Sequence, residues 1–573
     1  MRRAASRQPL KWPASGRPDA VHELFAVPLL IAALIALSIT TACTPALLRW
    51  APRVGLTDRP GARKVHAVPV PRVGGIAMAA GILIPTLLTA PLNPPIIGFL
   101  AGALVLLAFG IWDDRADLNY RLKFLGQFLA VGLCMVVGDV RIEWLTLGGR
   151  IMLPEALSWA LTFVFLVGVT NAINLADGLD GLAGGLALLC LCALAVLGTI
   201  TGNLTVTGIA LIESGAILGF LRFNTHPARV FMGDGGSQML GFSIGVLAIL
   251  ATQREGSALS AALPLLLLGL PILDTLTVMV RRVAAGRSPF SSDRNHIHHR
   301  LLDLGFAHRE AVILVYCLQV GLFLLAYYLR FDSDLLIGGT FVGFALALLG
   351  TLYWADRSGW RAHTGRALPI ISALLDKLRR PEFSTLIARL ATWTMAAGLI
   401  VYAAIAILAS SHVASDVSLL SAAMLLILLV FSYFATAGTL TWIERLAAYV
   451  GVILLVYLDE TAAERSPALA GIPAIVIGVT GAAAVCRFLF SGTRRFEVTS
   501  LDILVAFVAL VVPNLPGLIS VPPNLSAGIL KAVILLYVVE MLEGATVGRR
   551  VPRAVLTVML ASVALRGLAA MSP

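Results

Sequence analysis

The sequence predicts an all-α fold: a polytopic helical membrane protein with about eleven transmembrane helices in a core and about seven more in a C-terminal extension. Of its 573 residues, 58% are hydrophobic and only 13% are charged, whereas about 25% are charged in soluble domains. Apolar runs of about 18 residues or more recur along the chain, and each can cross about 30 Å of hydrocarbon. Backbone groups in lipid must bond to one another, which favours helices.

The apolar runs follow one another in a regular order. In the first part of the chain they lie near 25–48, 75–92, 95–112, 122–138, 157–173, 182–200, 205–222, 238–252, 261–280, 311–330 and 336–354. In the second part they lie near 390–410, 417–436, 443–458, 469–488, 501–513, 526–543 and 554–570. We therefore expect a basic N-terminal tail (1–24), a membrane core (25–355), a basic cytoplasmic linker (356–389) and a transmembrane extension of unknown role (390–573).

Basic residues indicate the orientation of the core. They are concentrated in four loops that face the same way, at 51–72, 113–123, 222–236 and 281–310. Because Lys and Arg accumulate in cytoplasmic loops, we expect these four loops in the cytoplasm. The same asymmetry accounts for the net charge of +11, so no nucleic-acid partner is expected.

One loop of the opposite face has the pattern of a short β-hairpin. Residues 139–156 alternate between apolar and polar side chains and contain Gly148-Gly149, a pair that is typical of a tight turn. We expect this hairpin on the outer face.

Carboxylates stand at the ends of two predicted spans. Asp113 and Asp114 are adjacent, and Asp234 lies between glycines that let a ligand approach the backbone closely. Paired carboxylates at a membrane boundary are costly unless a cation or a proton offsets their charge. This pattern is typical of a Mg²⁺ ligand, a general base, or both.

A third polar cluster recurs at a spacing of three residues. Asn174, Asp177 and Asp180 can share one face of a helix, and Gly178 and Gly181 favour an unwound stretch. Apolar residues flank the cluster on both sides, so its polar groups lie close to membrane depth and predict a lined cavity.

A histidine cluster lies in the last basic loop. His296, His298 and His299 form a motif that could bind zinc, since imidazole suits that metal. No cysteine is near, and the flanking arginines, among them Arg281 and Arg282, disfavour a bound cation. The histidines are therefore predicted to donate hydrogen bonds to a pyrophosphate or a nucleotide.

Together these loops combine carboxylates, basic residues, histidines and glycines on one face of the membrane. Hard oxygen ligands suit Mg²⁺, and cations neutralise the remaining phosphate charge. Phosphoryl transfer needs mainly positioning and charge neutralisation from a protein. A site at the membrane surface further predicts that one substrate is a lipid phosphate.

The motifs resemble those of the polyprenyl-phosphate N-acetylhexosamine-1-phosphate transferase family. In order, they are DRPGARKVH, DDRADL, NAINLADGLDGL, VFMGDGGS and SPFSSDRNHIHHRLL. The resemblance covers roughly residues 50–330, and the HIHH tetrad is similar to that of the bacterial undecaprenyl-phosphate α-N-acetylglucosaminyl 1-phosphate transferase branch. The extension after residue 355 departs from the family pattern.

The resemblance implies catalytic and metal-binding roles. Asp113 and Asp114 match paired aspartates that are proposed to deprotonate the lipid phosphate and to assist Mg²⁺, and Asp234 matches the Mg²⁺ ligand. Asp177 and Asp180 match a motif that is tied to catalysis and to the nucleotide.

The resemblance also implies substrate-binding residues. One of two adjacent arginines matches a basic site beside the histidines, and the resemblance does not decide between them. The implied residues are Asn174, Asn224, Phe231, Arg281, Arg282, His296, His298 and His299.

The implied reaction begins with attack by an oxygen of undecaprenyl phosphate on the β-phosphorus of a UDP-N-acetylhexosamine. UMP leaves, and the lipid-linked sugar starts a cell-envelope glycan. N-acetylglucosamine is the expected sugar, with N-acetylgalactosamine left open, and Mg²⁺, with Mn²⁺ as an alternative, is the implied cofactor. The implied location is the bacterial inner membrane, with the site on its cytoplasmic face; the glycan pathway and the oligomeric state stay open.

The alternative hypothesis is a transporter or flippase that uses Asp and His for ion or proton coupling. It predicts charged residues near the middle of spans and an internal repeat. In the core the motif residues lie at span ends, which favours the enzyme.

Overall fold

A computed structural model describes residues 18–58, 69–288, 296–362, 381–409, 415–434, 437–461, 471–490, 504, 523–543 and 550–571. Most of the predicted N-terminal tail and linker, and the predicted span near 501–513 apart from residue 504, lie outside these ranges.

The first part of the chain is a helical bundle with two very short antiparallel β-ladders. Its helices are α1 (Pro18–Val54), α2 (Gly74–Thr89), α3 (Pro94–Ala116), α4 (Tyr120–Val136), α5 (Glu155–Ala176), α6 (Leu182–Ile200), α7 (Leu204–Asn224), α8 (Gly233–Thr252), α9 (Pro264–Leu267), α10 (Gly269–Ala284), α11 (Ile297–Asp303), α12 (His308–Tyr328) and α13 (Asp334–Ser358). The ladders join β1 (Thr57–Asp58) to β2 (Val70–Pro71) and β3 (Trp144–Thr146) to β4 (Arg150–Met152).

The second part contains six further described helices. They are α14 (Pro381–Ala409), α15 (Ser415–Phe434), α16 (Ala437–Thr461), α17 (Ile472–Phe490), α18 (Pro523–Glu543) and α19 (Arg550–Met571). Within the described ranges, nine helices are long and apolar enough to cross a membrane: α1 from Ala32 onward, α3, α5, α6, α7, α8, α12, α13 and α14. The predicted all-α polytopic fold is confirmed.

Helix α8 is the centre of the first part. Every residue of α8 except Asp234 and Leu250 is buried, and the helix packs against α2, α3, α5 and α6. Its first turn approaches α3 so closely that a Cβ atom at Gly110 would overlap the backbone of Gly235. Small residues at both positions therefore set how near the polar end of α8 comes to the polar end of α3.

The predicted span near 261–280 is broken into α9 and α10 at Leu268, a break that the hydropathy pattern did not indicate. Pro271 has no N–H to donate to the carbonyl of Leu267, four residues earlier. That carbonyl accepts hydrogen bonds from the Gln319 side chain (2.8 Å) and the Cys190 thiol (3.0 Å) instead. The neighbouring helices α6 and α12 thus satisfy the backbone where the helix stops, as membrane-embedded breaks require.

The predicted β-hairpin at 139–156 is confirmed, and its strands are β3 and β4. Gln253, at the end of α8, accepts hydrogen bonds from the backbone N–H groups of Glu143 (2.9 Å) and Trp144 (3.2 Å). Asp334, at the start of α13, accepts hydrogen bonds from the Thr146 N–H, the Ser260 hydroxyl and the Ala262 N–H (3.0 Å). This end of the bundle, which we call the hairpin face, is tied together by side chains rather than by sheet.

The second part has its own apolar cluster, formed by side chains of α14 to α19. It encloses a group of charges: the Lys531 ammonium lies 2.6 Å from both the Asp459 and the Glu460 carboxylates. The buried Tyr402 hydroxyl donates to Asp459 (3.0 Å). Pairing of this kind is what allows charged side chains inside an apolar helix bundle.

We expect Asp334→Ala to destabilise the protein, because two backbone N–H groups and one hydroxyl would lose their buried acceptor. The loss should be about 2–3 kcal/mol of unfolding free energy, seen as a lower thermal unfolding midpoint in detergent. The control is Asp332→Ala, since Asp332 is exposed two residues earlier. Equal midpoints for the two variants would contradict the assignment.

Candidate active site

The carboxylates that end α3 and begin α8 converge on one cation. The Lys123 ammonium, from the first turn of α4, forms an ion pair with Asp113 and lies 3.0 Å from Asp234 Oδ2. Asp113 is 2% exposed and also accepts a hydrogen bond from the Leu118 N–H (2.7 Å). The Asp234 side chain is 31% exposed. One carboxylate is therefore fixed in the protein while the other faces the open side of the site.

Asp114 caps the N-terminus of α8. Its carboxylate accepts hydrogen bonds from the N–H groups of Asp234 (3.1 Å) and Gly235 (3.5 Å). The backbone turns into α8 at Gly233 with φ +74°, and a Cβ atom there would overlap the Asp114 carboxylate. The guanidinium of Arg72, the residue that follows β2, lies 3.7 Å from Asp114 and 2.6 Å from Asp58. Its positive charge therefore lies beside the site.

Asn174, in the last turn of α5, holds Asp234 from the other side. Its amide donates to Asp234 Oδ1 (3.3 Å) and to the Ser237 hydroxyl (2.8 Å). One helical turn earlier, Asn171 exchanges hydrogen bonds with Gln127. The structure therefore brings together the predicted residues Asp113, Asp114, Asn174 and Asp234.

Asp177 begins the loop between α5 and α6 and is partly buried. Burial raises the pKa of the Asp177 carboxyl to about 7, and the negative charges of Asp234 and Asp180 act in the same direction, whereas Arg72 lowers it. A carboxyl with a pKa near 7 can accept or release a proton at neutral pH.

Asp180 faces a different set of partners. Its carboxylate accepts hydrogen bonds from the His226 side chain (2.7 Å) and from the Ala228 N–H (3.1 Å). It therefore holds the loop between α7 and α8, and within the described residues no ion pair or hydrogen bond links its side chain to Asp113, Asp114 or Asp234.

The histidine motif forms the start of the short helix α11. Asp274, in the first half of α10, accepts hydrogen bonds from His296 Nδ1 (2.8 Å) and from the Ile297 N–H (2.7 Å). One carboxylate thus caps α11 and fixes the orientation of the His296 ring.

His298 points at the loop between α5 and α6. A Cβ atom at Gly178 would overlap His298 Nε2, so only glycine allows this contact. Burial lowers the pKa of His298 to about 3, and the adjacent His299 contributes. His298 is therefore neutral at physiological pH, and its Nε2 atom has no hydrogen-bond partner among the residues that the structure describes.

The other predicted substrate-binding residues occupy different environments. Arg281 is exposed and Arg282 is buried in the last turn of α10. Asn224 is buried: its amide donates to the Val230 carbonyl (2.8 Å), and its oxygen accepts from the Gly181 N–H (2.9 Å). Phe231 is partly buried, and its carbonyl accepts from the Gly74 N–H (3.0 Å).

Three residues that contact the predicted site residues were not predicted: Arg72, Lys123 and Asp274. Arg72 and Lys123 stand in basic loops, and the sequence singled out neither residue within its loop. Asp274 lies within a predicted apolar span, and an acid at such a position is a signal that could have identified it.

The donor set fits a divalent metal ion. Asp113 and Asp234 already direct one oxygen each toward the same ammonium group, and both offer the hard oxygen ligands that Mg²⁺ prefers. Neither histidines nor cysteines are in contact with this pair among the described residues. The two carboxylates could therefore hold a divalent ion through oxygen ligands.

Comparison with known proteins agrees with this geometry. Residues 96–252 match the family described as "Glycosyl transferase family 4". The chain is 36% identical over 300 residues to a probable undecaprenyl-phosphate N-acetylglucosaminyl 1-phosphate transferase of Bacillus subtilis, covering 50% of this chain and 81% of the relative. It is 38% identical over 304 residues to decaprenyl-phosphate N-acetylglucosaminephosphotransferase of Mycolicibacterium smegmatis, covering 47% and 74%.

A third relative is undecaprenyl-phosphate alpha-N-acetylglucosaminyl 1-phosphate transferase of Escherichia coli K12, 34% identical over 272 residues that cover 46% of this chain and 74% of the relative. The aligned length is about half of this chain in each case, although it is most of each relative. The resemblance that the motifs predicted is confirmed, and the chain belongs to glycosyl transferase family 4, the polyprenyl-phosphate N-acetylhexosamine-1-phosphate transferases.

Proposed function

We propose that this protein transfers N-acetylglucosamine-1-phosphate from UDP-N-acetylglucosamine to a polyprenyl phosphate and releases UMP. The observation that carries the proposal is the convergence of Asp113 and Asp234 on one cation, beside the loop that contains Asp177. Relatives at 34–38% identity bear the names of such transferases. Undecaprenyl phosphate and decaprenyl phosphate are both acceptors in those names.

Mg²⁺, or Mn²⁺ in its place, would be held by Asp113 and Asp234. Asp114 would position Asp234 by accepting a hydrogen bond from its backbone N–H. When bound, the ion supplies Lewis-acid stabilisation of the pyrophosphate and of the departing UMP. Asn174 orients Asp234 through its amide, and the Asp114 cap holds the start of α8 in place. The protein therefore fixes the carboxylates before substrate arrives, which is the basis of electrostatic preorganisation.

The reaction forms one P–O bond and breaks another. An oxygen of the lipid phosphate attacks the β-phosphorus of the UDP-sugar, and the bridging oxygen leaves with UMP and keeps the bonding electron pair. A phosphomonoester has a second pKa of about 6, so most of the acceptor is ionised at neutral pH without a base. Positioning and charge neutralisation, supplied in part by Lys123 and Arg72, therefore contribute more than proton removal.

The predicted catalytic aspartates divide into two groups. Asp113 shares the Lys123 ammonium with Asp234 and would act on the phosphates through the bound ion, whereas partly buried Asp177 can take up the last proton of the acceptor phosphate. Asp114 and Asp180 are positioning residues, because their oxygens are engaged by the backbone of α8 and of the 226–228 loop.

Helix α11 forms the nucleotide side of the proposed site. Neutral His298 has a free nitrogen toward the Asp177 loop, and His296 is oriented by Asp274. Of the two adjacent arginines, Arg281 is the accessible one, so we assign the contact with substrate phosphate to it. Asn224 would act on the uridine pocket indirectly, through the loop that carries Phe231.

The location follows from the positive charge of the loops that build the site. We propose a multi-pass protein of the bacterial inner membrane with its active site on the cytoplasmic face, where UDP-sugars are available. A transporter is less consistent with the geometry, since Asp113, Asp114, Asn174 and Asp234 lie at helix ends. Glu213, buried midway along α7 beside Ser243, and Asp274, buried within α10, are exceptions among the described acids.

We expect Asp113→Asn and Asp234→Asn each to lower UMP release by at least about 100-fold, a loss typical of removing one stabilising group at a reaction centre. The measurement uses purified protein with UDP-N-acetylglucosamine, undecaprenyl phosphate and Mg²⁺. The control is Asp117→Asn: Asp117 is exposed, and its left-handed backbone (φ 46°) suits Asn. UMP release that survives both site substitutions would refute the proposed enzyme.

Asp274→Ala should raise the KM for the UDP-sugar about 10- to 100-fold, because α11 loses its cap and His296 loses its orientation. The KM for the lipid acceptor should change much less. Asp303→Ala, an exposed acid at the end of the same helix, is the matched control. Equal effects on both KM values would show that Asp274 acts on overall folding.

His298→Gln should weaken use of the UDP-sugar without changing the shape of the pH profile between pH 5 and 8. Because the pKa of His298 is lowered from 6.5 to about 3, its imidazole is already neutral throughout this pH range and does not titrate in it. If kcat/KM of the wild type changed around pH 6.5 and this change were absent in the variant, the assignment would be contradicted. The measurement is kcat/KM for the UDP-sugar as a function of pH.

A further inference from the structure

We propose that Asp180, His226 and His308 form a second metal site, which binds a first-row transition-metal ion such as Zn²⁺ and is separate from the Mg²⁺ carboxylates. Three different segments supply the residues: the loop before α6, the loop between α7 and α8, and the first residue of α12. One ligand atom from each residue lies within 4.8 Å of the other two. Within the described residues, no other three His, Cys, Asp or Glu side chains bring their ligand atoms within 4.8 Å of one another.

The contacts inside the cluster show how near it is to a binding arrangement. His226 Nδ1 is 2.7 Å from Asp180 Oδ2, and the rings of His226 and His308 stack with centroids 4.2 Å apart. The His308 side chain also forms a hydrogen bond with the backbone of Asp180. Three potential ligands are thus already in mutual contact, so an ion would need only small side-chain adjustments.

A second observation independently points to a ligand. His308 Nε2 is buried, and among the described residues it has no hydrogen-bond partner. A buried nitrogen without a hydrogen-bond partner is unfavourable, because it has lost its contact with water. Coordination or a hydrogen bond to a bound species would remove this cost.

The ligand types select the metal. Two imidazoles with one carboxylate suit Zn²⁺, Co²⁺ or Ni²⁺, whereas Mg²⁺ prefers oxygen ligands throughout. The histidines of the HIHH motif do not form such a group with a carboxylate among the described residues. The two metal sites should therefore discriminate between hard and borderline ions.

Occupancy of this site would act on the active site through two loops. Asp180 lies three residues from Asp177, and it also accepts from the Ala228 N–H in the loop that leads to Asp234. An ion that draws the Asp180 carboxylate toward His308 would weaken that bond. We expect the bound ion to lower the rate of UMP release while Mg²⁺ is saturating.

The test is a Co²⁺ titration of the full-length protein in detergent, after removal of metals with a chelator and in the presence of millimolar Mg²⁺. Co²⁺ with nitrogen ligands gives visible absorption bands, so binding is read directly and independently of activity. The expected result is one Co²⁺ per chain, with affinity reduced at least about tenfold in His308→Gln. Zn²⁺ should displace the Co²⁺ and bleach the bands.

The matched control is His299→Gln, which removes a histidine from the HIHH motif and should leave Co²⁺ binding unchanged. The thermal unfolding midpoint of His308→Gln confirms that the variant is folded, and His226→Gln provides a second loss of one ligand. Absence of Co²⁺ binding to the wild type, or binding that is lost in His299→Gln but kept in folded His308→Gln, would overturn the proposal. So would displacement of Co²⁺ by Mg²⁺. Because binding is measured without substrate, failure here would leave the proposed transferase reaction unaffected.

Discussion

The hydrogen bonds between the Asp114 carboxylate and the first N–H groups of α8 hold the site together. The N-terminus of a helix carries positive partial charge and several N–H groups without partners in the helix. Asp114 supplies that partner from α3, so the two helices meet at their polar ends. The contact requires Gly233 at its positive φ and close approach of Gly110 to Gly235. Larger residues at these positions would separate Asp113 from Asp234.

This arrangement concentrates negative charge at the boundary of an apolar bundle. Asp113, Asp114, Asp177 and Asp234 lie in one region, and their mutual repulsion opposes folding. The backbone bonds to Asp114, the Lys123 ammonium and the Arg72 guanidinium offset part of it. A site with this excess of carboxylate favours cations, and a bound divalent ion can then carry the phosphates of a substrate. The same electrostatic imbalance thus explains both the structural role of Lys123 and the proposed need for metal.

Helix α11, which carries the histidine motif, differs from the carboxylate site because it presents an uncharged side chain. His298 is held away from water against Gly178, which keeps its imidazole uncharged, and Asp274 is used for the adjacent ring and the helix cap. The sequence alone indicated histidines in a field of arginines, and it favoured anion binding for that reason. The structure adds that one of the three rings is neutral. Hydrogen bonding by a neutral imidazole, rather than charge attraction, is therefore the interaction available at this position.

Features that depend on neighbouring residues could be predicted from the sequence, whereas those that depend on residues far apart in the chain could not. Most of the helices followed from hydropathy, since burial in lipid acts on each segment separately, although nine of the described helices are long and apolar enough to span a membrane. The hairpin at 139–156 followed from local alternation. The break at Leu268 was missed because it depends on Gln319 and Cys190, far away in the chain. Lys123 and Arg72 were missed because their partners are set by helix packing, and no local pattern separates them from other basic loop residues.

The residues that form the proposed active site all precede residue 310, and this bears on the second part of the chain. The buried groups that hold them, such as Asp274, Asn171 and Gln127, also come from α4 to α10. One described tie reaches α13, where Arg300 of α11 pairs with Asp356. The helices from α14 onward have a separate apolar cluster, and their buried charges, Lys531 with Asp459 and Glu460, are satisfied internally. Because neither the cluster nor these charges contribute a side chain to the described site, we infer that the extension adds to the transferase core without building its catalytic centre.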